Sequence, residues 1–151
     1  MSTHPPAYDR PGTYERPGSI PATRIVELAC GAPSMHNTQP WTWRVEGDRI
    51  ELYADRDRQL TVADPSGRNL VISCGAALHH ARVAAAALGY PAEVEHLPTP
   101  DDPDHLATLV LKPGFRTPQA VADLAALGQR CTDRRRFTSW PVPEERLAAL
   151  A

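Results

Sequence analysis

The chain has 151 residues, enough for one domain with a substantial core, and its 42% hydrophobic and 23% charged residues are ordinary for a soluble protein. A formal net charge of −2 gives no global pull toward nucleic acid or an anionic membrane. Cys30, Cys74 and Cys131 are odd in number and lack C-x-x-C spacing, which suggests neither a disulfide framework nor a zinc site and makes a reducing, cytoplasmic setting the expectation.

Residues 1–18 are polar, rich in proline and without periodicity, so a disordered arm is expected there. They also lack the basic stretch and apolar core of a secretory signal. Ser19 is placed to cap a helix with Pro21 in its first turn; Ile25, Leu28 and Ala29 share a face, and Gly31 and Pro33 end it. The stretch that follows, GAPSMHNTQPWTW (31–43), sets Ser34, Asn37, Thr38 and Gln39 among prolines and tryptophans. Its polar groups suit a flat, hydrogen-bonding ligand, or equally a turn whose Ser and Asn bond their own backbone. Trp41, Trp43 and Val45 alternate with polar residues, Glu46-Gly47-Asp48 turns, and Ile50 and Leu52 alternate again, which predicts a β-hairpin with both tryptophans in its core.

Asp64-Pro65-Ser66-Gly67 opens the longest predicted element, a helix from residue 68 to Gly89 that is apolar on nearly every face apart from His79, His80 and Arg82. Such a helix needs burial in a core or an interface, and its alanines and charges favour close helix–helix approach over a membrane span. His79 and His80 are adjacent and so do not share a helix face, which argues against a metal pair. Residues 92–97 and 105–111 read as strands, and 118–128 as a helix stopped by Gly128. The expected class is α+β: an antiparallel sheet with flanking helices and a long buried central helix.

Shifted by 122 positions, IPATRIVELA (20–29) lies on VPEERLAALA (142–151), matching Pro21 to Pro143, Arg24 to Arg146, Leu28 to Leu150 and Ala29 to Ala151. Alanine-rich segments agree by chance, and the other reading is an internal repeat. The repeat reading divides the chain into the arm (1–18), a first repeat (19–128) and the truncated start of a second (129–151). RCTDRRRF (130–137) offers Arg130, Thr132 and Arg134 as phosphate ligands, because guanidinium donates in a planar fork. A solvated basic run and a nucleic-acid patch are the alternatives. No G-x-S-x-G, Walker loop or G-x-G-x-x-G is present.

Together these segments resemble the FMN-binding nitroreductase family. APSMHNTQPW (32–41) resembles its A-P-S-x-x-N-x-Q-P-W loop. RCTDRRRF is similar to its R-R-[ST]-x-R-x-F phosphate motif, with Cys131 at the second Arg position and one extra residue before Phe137. The family usually places the phosphate motif before the loop, an order reversed here, so the match is best to the single-chain, two-repeat (Acg-type) branch. The resemblance implies the nitroreductase-like fold, as a homodimer or a pseudo-dimer within one longer chain. It implies one FMN site joining Pro33, Ser34 and Asn37 to Arg130, Thr132 and Arg134; the equivalent segment of the first repeat, YDRPGTYE (8–15), lacks the motif. It also implies reduction of small acceptors such as nitro compounds or quinones with NAD(P)H, without a catalytic side chain, a metal, nucleic acid or a membrane. FMN storage without turnover is the alternative role, and a nucleic-acid-binding module using the arginine run is a second.

Overall fold

The computed structural model describes residues 21–132, 135–136 and 141–148. The arm, Ser19, Arg134, Phe137 and Leu150 lie outside the described residues. The first helix, α1 (Ala22–Ala29), has Pro21 as its N-cap without a side-chain cap. A loop then leads into the hairpin β1 (Trp41–Glu46) and β2 (Arg49–Ala54), turned at Gly47 with φ 60°. The register runs from Trp41 opposite Ala54 to Glu46 opposite Arg49, as the period-2 pattern demands.

The central helix α2 (Arg68–Ala87) starts behind Gly67, whose φ of 70° is left-handed and where an added Cβ would run into the Arg56 guanidinium. Its first turn is held by the buried Asp64 carboxylate, which accepts the Leu70 N–H at 2.9 Å. Gly89, at φ 86°, ends it, and the chain turns into β3 (Ala92–His96) and β4 (His105–Leu111). The sheet order is β1-β2-β4-β3, antiparallel throughout, with a register shift at Leu52/Tyr53. Helix α3 (Pro118–Gln129) begins at Thr117, whose hydroxyl accepts the Ala120 N–H at 3.1 Å. Gly128 does not stop it: that residue has no positive φ, and the helix runs through it to Gln129. A C-terminal glycine ends a helix only when it turns left-handed, and here it stays helical. A short α4 (Glu144–Ala148) follows, and residues 141–148 are exposed, Leu147 included.

The α+β class is therefore the observed one. Helices α1 and α2 cover the inner face of the sheet, and α3 packs on α2. One part of the core joins Ile25 and Ala29 of α1 to Ala81, Ala84 and Ala85 of α2 and to Ile50, Leu109 and Leu111 of the sheet. The other joins Trp41, Leu52, Leu70, Cys74, Ala77 and Ala107. Alanine buries little area per residue, so α2 is held by close backbone approach and dispersion more than by large side chains. By length and composition α2 would also cross a bilayer, but half of that stretch is buried within the fold. Trp41 is a core residue, as the hairpin pattern predicts. Trp43 packs against both parts, with its buried Nε1 unpartnered among the described residues.

Candidate functional site

The loop between α1 and β1 is short of glycine yet strongly bent. Met35–Asn37 forms a single 3-10 turn, and His36 (φ 49°), Asn37 (φ 57°) and Gln39 (φ 48°) all sit in the left-handed region. Non-glycine residues hold such angles only where surrounding bonds fix them, at a cost of order 1–3 kcal/mol each, least for Asn. The bonds that fix this loop are visible. Ser34 Oγ accepts the Gln39 N–H at 2.9 Å, closing the loop on itself, and Thr38 Oγ1 donates to the Met35 carbonyl at 3.0 Å.

Two adjacent residues of α2 then tie the loop to the core. Ser73 Oγ accepts the Met35 N–H at 3.2 Å while donating to the Asn69 carbonyl at 2.7 Å. Cys74 donates its S–H to the Pro40 carbonyl at 3.1 Å. One residue of the clamp grips the loop near its start and the other near its end. The Cys74 thiol is fully buried, and burial pushes its pKa up from 9.0 to about 12, so it is a neutral donor and not a nucleophile.

Of the residues the sequence singles out, Pro33 and Asn37 are exposed and Ser34 is half-buried. The two readings of the loop both hold in part. Ser34 spends its acceptor on the loop's own backbone, whereas the Asn37 and Gln39 carboxamides have no hydrogen-bond partner among the described residues. Pro33, Ser34 and Met35 face Asn69, Ile72 and Ala76 of α2 across an open cleft of about 270 Å³. That cleft is a rigid polar rim on an apolar wall, the arrangement that orients a flat heterocycle.

Arg130 and Thr132 come together, with Arg130 Nη1 donating to Thr132 Oγ1 at 3.1 Å. They do not share the cleft of the loop. Arg130 lines a neighbouring one of about 330 Å³ with Glu27, Leu28, Gly31 and His80, so the two clefts flank the end of α1. His80 escapes sequence reasoning, which weighs it only as half of a histidine pair. It is 6% exposed, and its pKa lies below 6.5, first because of burial and then because of His79 and Arg130. As the helical spacing requires, His79 faces elsewhere, into a cleft with Arg82 and Asp123.

The chain is 48% identical over 127 residues to a protein of Mycobacterium tuberculosis (strain ATCC 25618 / H37Rv) named "Putative NAD(P)H nitroreductase", a match covering 84% of this chain and 37% of that one. A second protein of the same strain, named "Putative NAD(P)H nitroreductase acg", is 44% identical over 126 residues, 81% of this chain and 38% of its own. The chain thus spans well under half the length of these relatives. No family model matches it. Among solved structures, a nitroreductase family protein from Streptococcus pneumoniae TIGR4 aligns over 83% of this chain and 86% of its own, at 13% identity and a TM-score of 0.45. At that score the α+β assignment rests on the chain's own sheet and helices.

Proposed function

The chain belongs to the nitroreductase family, and we propose that it supplies one part of an FMN-dependent, cytoplasmic oxidoreductase that passes electrons from NAD(P)H to small acceptors such as nitro compounds or quinones. The observation that carries this reading is the clamped loop. Its strained backbone is fixed at both ends by α2, it sets Pro33, Ser34 and Met35 on the rim of a cleft, and it leaves the Asn37 and Gln39 carboxamides without a hydrogen-bond partner among the described residues. A loop that merely connected a helix to a strand would gain nothing from that strain.

The residues present fit a flavin nucleotide. Carboxamides donate and accept along one edge, as a pyrimidine ring requires, and the Ser34 hydroxyl keeps its proton free to donate. Ile72 and Ala76 supply an apolar wall. Arg130 and Thr132, with Arg134, are the groups proposed to take the phosphate. The bound flavin would supply the redox chemistry, and the chain's part is to bind, orient and shield it. No side-chain acid or base is assigned.

The test is an FMN titration of the purified protein, followed by NAD(P)H oxidation with a nitroaromatic or a quinone as acceptor. Saturable binding with acceptor-dependent turnover is the expected result. Binding without turnover would make the protein a flavin carrier, and failure to bind FMN would remove the reading.

A further inference from the structure

We infer that His80 is a second ligand for the anion taken up by Arg130, and that it gains a proton when that anion binds. The inference rests on the flavin reading only for the source of the anion, the FMN phosphate.

Two buried histidines show why His80 stands out. His105, 6% exposed, has both ring nitrogens engaged, Nδ1 with Thr99 Oγ1 and Nε2 with Thr108 Oγ1, each at 3.0 Å. That imidazole is a satisfied core residue. His80 is buried to the same 6%, yet it has no hydrogen-bond partner among the described residues and lines the cleft that Arg130 enters. The ring is otherwise enclosed and its nitrogens open only where it lines the cleft, so a partner for them must come from the cleft.

The charges around the cleft favour an anion. Glu27 of α1 is already paired with Arg24 at 2.8 Å. Helix α3 brings only Leu124, Leu127 and Gly128 to this side, and His79, on the same helix as His80, faces the other cleft. Arg130 bonds the Thr132 hydroxyl and has no carboxylate among the described residues. Burial first, then His79 and the unneutralised charge of Arg130, hold His80 toward the neutral form. An oxyanion lodged between them would offset that charge and reverse its effect. The imidazole would then take one proton from solvent and donate to the anion, with no other bond made or broken.

The experiment follows the His80 ring by NMR through a pH titration of the intact chain, its signal identified by loss in His80→Gln. FMN, riboflavin and inorganic phosphate are added in separate arms. FMN and phosphate are expected to raise the His80 midpoint by about one pH unit, the lower range for an opposite charge at contact distance. Riboflavin, which lacks the phosphate, should leave it in place, and Arg130→Ala should cancel both shifts. A His80 midpoint unmoved by FMN and by phosphate overturns the inference, as does an equal shift with riboflavin or persistence of the shift in Arg130→Ala. Flavin fluorescence reports FMN binding independently. If FMN binds and His80 stays put, this inference fails and the flavin reading stands. If FMN does not bind while phosphate moves His80, the flavin reading falls and the anion site remains.

Discussion

At the residue scale the loop depends on side chains that no local pattern connects to it. Ser34, Asn37 and Gln39 are legible in the sequence because they cluster within the loop itself. Ser73 and Cys74 are not, since they lie 38 and 34 residues from their loop partners and meet them only once α2 packs. In a helix the pair reads as two small residues on a buried face. Ser73→Ala leaves the Met35 N–H without its partner, and a lost hydrogen bond in a part-buried place costs about 1–2 kcal/mol. We expect that loss in urea unfolding, together with weaker FMN binding; unchanged values for both would show that the clamp is incidental. Cys74 gives a test in pH. Its folded pKa is raised, so its contribution is fully present below 9.0 and is lost as pH climbs toward about 12. Stability measured at pH 8 and pH 10.5 should therefore fall in the native protein, and should fall less in Cys74→Ala.

Elements were easier to read than their ends. Alternation in WTWRVE and RIELYA predicts the hairpin because one face must meet the core, and the register confirms it residue by residue. The central helix is legible from its length and from the glycine after it. Its exposed face is not, because alanine hides which side is buried: Ala77, Ala81 and Ala84 are fully enclosed, whereas Ile72, the larger residue, is 58% exposed. Gly128 misleads for a related reason, since its identity permits a left-handed turn without requiring one. Asp64 is the anchor of the helix start. Its carboxylate accepts the Leu70 N–H at 2.9 Å and also lies 3.5 Å from the Asn69 amide. Replacing it with alanine removes a cap worth about 1–2 kcal/mol, so Asp64→Ala should lower the urea midpoint clearly, whereas Asp57→Ala, on an exposed turn, should lower it little. Equal effects would mean that the Asp64 carboxylate does not hold the helix.

On the scale of the whole molecule, the face left open by α2 is the feature that its own chain does not explain. Arg68, Ile72, Gly75, His79 and Arg82 are exposed and recur at spacings of three and four, forming one stripe, with Val71 beside it at 43% exposure. Val71 and Gly75 also border an apolar hollow of about 300 Å³ with Leu52, Leu78, Leu97 and Leu106. Ile72 reaches the loop cleft as well, so a partner on this stripe would stand next to the proposed flavin. Nothing lies within 4 Å of where a Cβ on Gly75 would point, which leaves room for a second helix to come close. The relatives carry additional chain beyond the 37–38% matched here, and we propose this stripe as the face on which such chain, or a second copy, packs. We therefore predict that the purified 151-residue chain self-associates, and that Ile72→Lys shifts it toward monomer in sedimentation velocity. Gly75→Met separates the alternatives further. Within one chain the new side chain meets open space and replaces a helical glycine, so thermal stability at low concentration should hold or rise, by roughly 0.5–1 kcal/mol. Against a second helix it would block close approach, so association should weaken. A native chain that stays monomeric at high concentration, or a Gly75→Met variant that associates as the native chain does, would show that this stripe is simply a solvated face.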